Sequence, residues 1–233
     1  MELSLLMKHF DIEGRLVIVS PLGNGNINDT FVGVYRNTFT ETQVVVQRIN
    51  RNVFPDPAAI MSNMHKVTAH CHAKLEAEAD SSDRVWQMPR IVKTKDGKDF
   101  IVDDEGQTWR VITRVLSARA YDTAQNAEHA LECGSVLGHF HYLVSDMDPA
   151  TIIDPLPGFH ITPRYLAAYD ETLEKVPLAK DRLTASTEAK RLAKFIDDRR
   201  GFANVFARAE QAGELKRRMF HGDPKVNNIM IDD

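Results

Sequence analysis

The stretch HGDPKVNNIMI at residues 221–231 decides the fold of this chain. It places Asp223 five residues before Asn228, with glycine and proline bending the chain ahead of the apolar run 229–231. A carboxylate can orient and deprotonate a hydroxyl group, and an uncharged amide oxygen can hold a hard metal ion without cancelling its positive field. Asp223 is therefore the candidate catalytic base and Asn228 the candidate metal ligand, and His221 is predicted to brace the loop through its ring.

Composition bounds the possible partners. The chain has 233 residues, of which 43% are hydrophobic and 27% charged, as expected of a soluble globular protein with one large domain or two lobes. A formal net charge of −4 gives no basic field for nucleic acid. No run approaches the ~20 apolar residues that cross a membrane. We expect a cytoplasmic protein with a small-molecule partner and with neither nucleic acid nor membrane as partner; the sequence indicates no oligomeric state.

The two cysteines, Cys71 and Cys133, are far apart and too few for a disulfide scaffold. This usage fits a reducing compartment. Both cysteines are predicted to be buried residues of helices.

Two hydrophobic patterns divide the chain. Up to Leu116, runs rich in Val, Ile and Phe alternate with turn residues, which predicts a small antiparallel sheet over 16–49 that resumes before Leu116. Beyond this point helical periodicity dominates. We predict an α+β fold, with a small antiparallel-sheet N-terminal lobe (1–116) and a mostly helical C-terminal lobe (117–233). The predicted helices cover 57–78, 122–145, 163–176 and 184–217.

The spacing HxDxxxxN at 221–228 is that of a kinase catalytic loop, with Gly222 where protein kinases have arginine. HGDxxxxN is similar to the form found in the aminoglycoside phosphotransferase and choline kinase family. The chain resembles the N-acetylhexosamine 1-kinase-like members of that family in segments that follow the family's order. They are GNGNINDTF (23–31), VVVQRINRNVFPDP (44–57), TWRVITRVLSARAYD (108–122), PGFHITPRY (157–165) and HGDPKVNN (221–228).

This resemblance implies a bilobal protein-kinase-like fold. It also implies ATP and Mg²⁺ as cofactors and transfer of a phosphoryl group to a small-molecule hydroxyl. The implied acceptor is a sugar, such as an N-acetylhexosamine at its anomeric position.

The resemblance further implies a nucleotide-binding set. The glycine-containing loop between the first two strands would cover the phosphates, since glycine lets backbone N–H groups approach them. On the next strand, kinases place a lysine that contacts the phosphates. Gln47 and Arg48 are the two candidates here, and because neighbouring strand residues point to opposite faces, only one can face the nucleotide. The loop residues of this set are Gly23, Asn24, Gly25 and Asn28.

Two further segments carry implied binding residues. The strand TWRVITRVL would link the lobes and meet the adenine edge near Arg114 and Leu116. The segment PGFHITPRY is similar to a family segment near the acceptor pocket, so His160 is a candidate substrate-binding residue together with Asp223.

In the family, a β-hairpin and a metal-binding aspartate follow the catalytic loop, and this sequence stops inside that hairpin. Asp232 and Asp233 come too early to serve as that aspartate. We therefore expect a C-terminally truncated kinase, whose own activity is in doubt. Two alternatives remain: an inactive remnant that at most binds nucleotide, and a kinase whose acceptor is choline, homoserine or an aminoglycoside.

Overall fold

An antiparallel sheet forms the N-terminal part of the molecule. The structure is a computed structural model that describes residues 2–23, 27–78 and 84–232. The sheet strands are β1 (Arg15–Pro21), β2 (Asp29–Arg36), β3 (Glu41–Ile49), β4 (Ile91–Val92), β5 (Ile101–Val102) and β6 (Thr108–Thr113). Their order is β1-β2-β3-β6-β4, with β5 also paired to β6, and every pairing is antiparallel. The predicted antiparallel sheet is confirmed, with its β-branched residues in the central strands.

One face of the sheet packs against the N-terminal segment, which consists of α1 (Leu3–Leu6) and a 3-10 turn (Met7–His9). Strand alternation turns Val44 and Val46 to this face, where both are buried. The hydroxyl of Tyr35 donates to the main-chain oxygen of Met7 at 3.3 Å, and burial raises the pKa of Tyr35 to about 12. The core on this face consists of Leu6, Met7, Phe10, Tyr35, Val44, Val46 and Val111.

Helix α2 (Pro57–Glu78) follows the third strand, with the bounds that its sequence predicts. Asp56 caps it, because its Oδ1 accepts a hydrogen bond from the backbone N–H of Ala59 at 3.1 Å. Proline suits the first helical position, where no N–H is needed. Along the helix, Asn63 is bonded in both directions to the backbone of Ile153, at 2.6 and 2.9 Å.

A second core joins α2 to α3 (Ala127–Leu143). The helix predicted over 122–145 begins at Ala127, because the side chain of Asn126 caps it by accepting from the N–H of His129 at 2.8 Å. Cys71 and Cys133 are both buried, as predicted. The core between the two helices contains Cys71, Leu143 and Val144, with Val67, Leu75, Met88, Phe140, Met147 and Met219 packed against them.

The chain divides into two compact units, residues 1–155 with 218–233 and residues 156–217. The predicted lobe boundary after residue 116 lies within the first unit and stays a prediction. In the described part of the chain, no helix is both long enough and apolar enough to span a bilayer.

The second unit is built from short helices. They are α4 (Thr162–Lys175), α5 (Pro177–Ala185), α6 (Thr187–Asp197) and α7 (Val205–Gln211). The helix expected near 163–176 is confirmed, but the continuous helical region expected over 184–217 is wrong. Ser186 has extended backbone and caps α6 through its side chain, and Gly213 has a φ of 77°, so the chain breaks at both points.

Candidate active site

The loop 221–228 belongs to the first unit, and contacts at both of its ends hold it there. After it, β8 (Met230–Ile231) pairs antiparallel with β7 (Arg119–Ala120). At its start, the ring of His221 packs edge-on against Phe140 with 5.4 Å between centroids, and its Nδ1 accepts from the N–H of Asp223 at 3.3 Å. Gly222 has a φ of 84°, a conformation that favours glycine. His221 therefore braces the loop, as its sequence position predicts.

Asp223 and Asn228 meet inside this loop. The side-chain Nδ2 of Asn228 donates to Oδ2 of Asp223 at 2.9 Å and to its main-chain oxygen at 2.8 Å. The bond from Asn228 is the largest cause that lowers the pKa of the Asp223 carboxyl, with Lys225 and His221 adding to it. An exposed carboxylate with a lowered pKa is ionised at neutral pH and can accept a proton from a hydroxyl group.

Lys225 belongs to the same cluster, although the sequence reasoning did not single it out. Its ammonium lies 3.3 Å from Oδ2 of Asp223. The signal that could have found it is its position two residues after the candidate base, within the same tight loop. Next to it, Asn227 donates to Oδ1 of Asp122 at 3.3 Å, which ties the loop to the segment after β7.

The loop provides oxygen ligands of the kind that Mg²⁺ prefers. Both hydrogen bonds of Asn228 use its nitrogen, so its carboxamide oxygen is not engaged by Asp223. Mg²⁺ in phosphate sites is usually bound by one or two carboxylates together with water and phosphate oxygens. Across residues 2–23, 27–78 and 84–232, no cluster of three or more His, Cys, Asp or Glu side chains forms a larger metal centre. The loop therefore offers the carboxamide oxygen of Asn228 to a magnesium ion whose other ligands would come largely from phosphate and water.

Gln47 and Arg48 point to opposite faces of the sheet. The guanidinium of Arg48 pairs with Asp29 and lies 5.8 Å from the ring of Trp109, on the face away from α2. Gln47 is bonded instead to Thr30, at 3.1 Å, and to Arg110. Of the two candidates, Gln47 lies on the α2 face of the sheet, as the resemblance favours by position, whereas Arg48, which has the positive charge, lies on the other face.

Arg110 is a second residue that the sequence reasoning missed. Its Nε and Nη2 both donate to Oε1 of Gln47, at 3.0 and 2.8 Å. Its Nη1 contacts the sulfur atoms of Met64 and Met61 on α2, at 3.3 and 4.0 Å. A signal was present, since Arg110 is the one charged residue inside the strand TWRVIT.

The glycine-containing loop is described at its two ends. Gly23 has a φ of 69°, and Asn28 accepts a hydrogen bond from the backbone N–H of Asn50 at 3.0 Å, just after β3. Asn24 and Gly25, the other predicted loop residues, lie outside the described residues. The described part anchors the loop to the end of the strand that carries Gln47.

The predicted linker residues follow β6. Arg114 donates to the side-chain oxygen of Gln43 at 2.6 Å, and its backbone N–H donates to the main-chain oxygen of the same residue at 3.3 Å. The side chain of Leu116 is about half exposed, at 49%. The chain then turns at Ser117, which has a φ of 63°.

His160 lies in the second unit. Its φ of 59° is unusual for a residue with a side chain, and its backbone N–H donates to the hydroxyl of Tyr165 at 2.8 Å. Its ring meets Phe159 edge-on, with 4.0 Å between centroids. The turn is thus held through its backbone and its ring stack.

The fold matches a solved structure. That structure is a spectinomycin phosphotransferase in complex with ADP and spectinomycin; the TM-score is 0.51 at 11% sequence identity. The match covers 98% of this chain and 64% of that chain, so this chain spans less than two thirds of its length. At this identity the match shows the fold alone, an α+β fold of the kinase-like phosphotransferase type, as the sequence predicts.

A family comparison covers the sequence almost from end to end. The family model described as the phosphotransferase enzyme family, APH, matches residues 18–233, which include most of the sheet, α2, α3 and the 221–228 loop. The chain therefore belongs to the APH phosphotransferase enzyme family.

Proposed function

We propose that this protein is an ATP-dependent phosphotransferase that acts on a hydroxyl group of a small molecule. The observation that carries the proposal is the pairing of Asp223 with Asn228 inside one braced loop. A carboxylate and a carboxamide oxygen in one loop serve the two needs of phosphoryl transfer, an oriented hydroxyl and a neutralised phosphate.

In the proposed reaction, Asp223 is the base. Its ionised carboxylate accepts the proton of the acceptor hydroxyl as that oxygen forms a bond to the γ-phosphorus of ATP. The bond between this phosphorus and the bridging oxygen breaks, and ADP leaves with the electron pair. Before this step, Asp223 would orient the acceptor hydroxyl, which is the role of the catalytic-loop aspartate in kinases.

Asn228 and Lys225 would stabilise the negative charge of the phosphate groups near this base. Asn228 would hold Mg²⁺ through its carboxamide oxygen, and bound magnesium would neutralise the phosphate oxygens. Lys225, 3.3 Å from the carboxylate, would attract the transferred phosphoryl group to the same spot.

The nucleotide would lie against the sheet. We assign its phosphates to the loop of Gly23, Asn24, Gly25 and Asn28 and to the α2 face at Gln47. We assign the adenine edge to the backbone near Arg114 and Leu116. The anchoring of Asn28 beside the end of β3 supports a common site for the loop and the strand. Arg48 is less suited to this role, because it is engaged with Asp29 on the other face.

For the acceptor we propose a sugar, with an N-acetylhexosamine phosphorylated at its anomeric hydroxyl as the first choice and His160 as a substrate-binding residue. The support is the resemblance of the segments quoted above. The second candidate is an aminoglycoside-type acceptor, supported by the fold match to a spectinomycin phosphotransferase. Such polycationic acceptors call for an acidic pocket. We place the reaction in the cytoplasm, where ATP is available.

The test is phosphorus NMR of the purified chain with magnesium ATP and separate acceptors. The panel contains N-acetylglucosamine, N-acetylgalactosamine, choline, homoserine and spectinomycin. A new sugar 1-phosphate signal is the expected result, and the Asp223→Asn variant is the matched control that should not give it. A phosphorylated product from choline, homoserine or spectinomycin alone would replace the sugar assignment. ATP binding by calorimetry without any product would favour the inactive nucleotide-binding alternative.

A further inference from the structure

A line of hydrogen-bonded polar side chains crosses the α2 face of the sheet. Thr30, Gln47 and Arg110 are direct neighbours on β2, β3 and β6. Gln47 accepts from Arg110 at 2.8 and 3.0 Å and donates to Thr30 at 3.1 Å. Thr30 in turn donates to the main-chain oxygen of Asn28 at 3.4 Å. The line therefore connects Arg110 with the end of the glycine-containing loop.

Arg110 differs from other arginines of the sheet. Arg36 pairs with Glu41 and Arg48 pairs with Asp29, but among the described residues no carboxylate lies within ion-pair distance of Arg110. Burial lowers the pKa of its guanidinium, yet an arginine stays charged in proteins. Its surroundings are the neutral amide of Gln47 and two thioethers of α2.

Arg110 is partly buried, and a buried charge that has no counter-ion among the described residues is costly in the folded state, which makes an incoming anion favourable. Guanidinium groups bind phosphate oxygens with paired hydrogen bonds, so a phosphate is the anion that this group recognises best. Kinases place their phosphate-contacting lysine on the third strand of this sheet, and the resemblance favours Gln47 as the residue at its position. The positive charge at this place of the sheet is carried by the neighbouring strand instead.

We propose that Arg110 is the cation that binds the polyphosphate of the nucleoside triphosphate, with Gln47 as the residue that positions its guanidinium. This inference rests on the proposed function, because it concerns the nucleotide of that reaction. The charge that other kinases carry on β3 has moved to β6, and the bonds from Arg110 to Gln47 keep it at the same place. Gln47 itself contributes no charge.

The test compares ligands that differ only in phosphate number. Calorimetry and ligand-observed NMR would measure the affinities of ATP, ADP, AMP and adenosine for the wild-type chain and for Arg110→Met. The variant should lose about 10- to 100-fold in ATP affinity, less for ADP, and less than about twofold for adenosine. Arg36→Met is the matched control, since it removes a sheet arginine outside the polar line and should leave all four affinities unchanged.

A rescue variant separates phosphate binding from a structural role. The double variant Gln47→Lys, Arg110→Met returns the charge to β3 and should regain most of the lost ATP affinity. If Arg110→Met does not fold, Arg110→Lys should keep the preference for ATP over adenosine, and Arg110→Gln should lose it.

Four results would overturn the inference. Equal weakening of ATP and adenosine, or no rescue by the double variant, would assign Arg110 a structural role and overturn the inference. Unchanged ATP affinity in Arg110→Met beside normal wild-type binding would overturn the inference alone. A wild-type chain that binds none of the phosphorylated ligands would overturn the inference together with the proposed function.

Discussion

The carboxamide nitrogen of Asn228 lies 2.9 Å from Oδ2 and 2.8 Å from the main-chain oxygen of Asp223. One side chain therefore fixes both the rotamer of the candidate base and the shape of the loop around it. The bond to Oδ2 is also the largest cause that lowers the pKa of the Asp223 carboxyl, so one contact influences both the geometry and the ionisation of the candidate base.

The first prediction concerns Asp223→Asn. The substitution keeps the size of the side chain but removes the base, so turnover should fall by at least about 100-fold while ATP affinity stays within about twofold. Phosphorus NMR measures turnover and calorimetry measures ATP binding. Asp198→Asn, an exposed aspartate of the second unit, serves as control and should keep full turnover. Retained turnover in Asp223→Asn would contradict the assignment of the base.

The second prediction concerns Asn228→Ala. Losing the carboxamide oxygen should raise the magnesium concentration needed for half-maximal rate by about tenfold, the effect of about 1.4 kcal/mol of lost binding. Losing the nitrogen removes the main cause of the lowered Asp223 pKa, so that pKa should rise. The acid limb of the rate profile, where the base becomes protonated, should then move to higher pH.

Rates measured across pH and magnesium concentration check both effects. An unchanged magnesium requirement beside a shifted acid limb would remove Asn228 as metal ligand and keep its role in the loop.

The third prediction concerns the ion pair between α2 and the end of α3. Lys74 at 2.7 Å and His70 at 2.9 Å lower the pKa of Asp146 to about 2, against 3.8 as its ordinary value. Because the folded pKa is the lower one, the contribution to stability is complete above 3.8 and is lost as pH falls through about 2.

Thermal unfolding measured between pH 2 and pH 6 checks this pH dependence of stability. Asp146→Asn should be less stable than wild type at pH 6 and equal to it near pH 2. Lys74→Met, which removes the first cause of the lowered pKa, should lose most of the same pH-dependent difference. A gap between wild type and Asp146→Asn that is constant across pH would show that the ion pair does not contribute.

The fourth prediction concerns Gly14, which has a φ of 98°. A Cβ at this position would lie 2.8 Å from the main-chain carbon and oxygen of Arg36. Gly14→Ala should therefore lower the free energy of unfolding by about 2 kcal/mol and Tm by about 4–8 °C. Gly134→Ala is the matched control, because nothing lies within 4 Å of its Cβ position on α3, and it should stabilise by about 0.5–1 kcal/mol. Equal Tm values for the two variants would contradict the strain argument.

The parts of the fold that local sequence determines were predicted well. The alternation in β2 and β3 sets the buried face, and Asp56 with Pro57 starts α2 where the pattern says. The break before α6 was missed, because the sequence around Ser186 continues the helical pattern and does not show that the backbone of this residue is extended.

Within the candidate site, the contact in the 221–228 loop could be predicted from the sequence, but the contact on the sheet could not. Asp223 and Asn228 are five residues apart, so their spacing was enough to bring them together. Arg110 and Gln47 are 63 residues apart in the chain, and their contact depends on the register between β6 and β3, which single-strand patterns do not contain. The same register separates Gln47 from Arg48.

The pairing of β7 with β8 determines when the loop can take shape during folding. Asn227 and Asp122 are 105 residues apart in the chain, so forming their hydrogen bond closes a long loop and costs conformational entropy. Strands of two residues each add little to hold it. The sheet and α2 can therefore fold first, and the 221–228 loop docks late and opens first. Amide hydrogens of residues 226–231 should exchange with solvent well before those of β3 and β6.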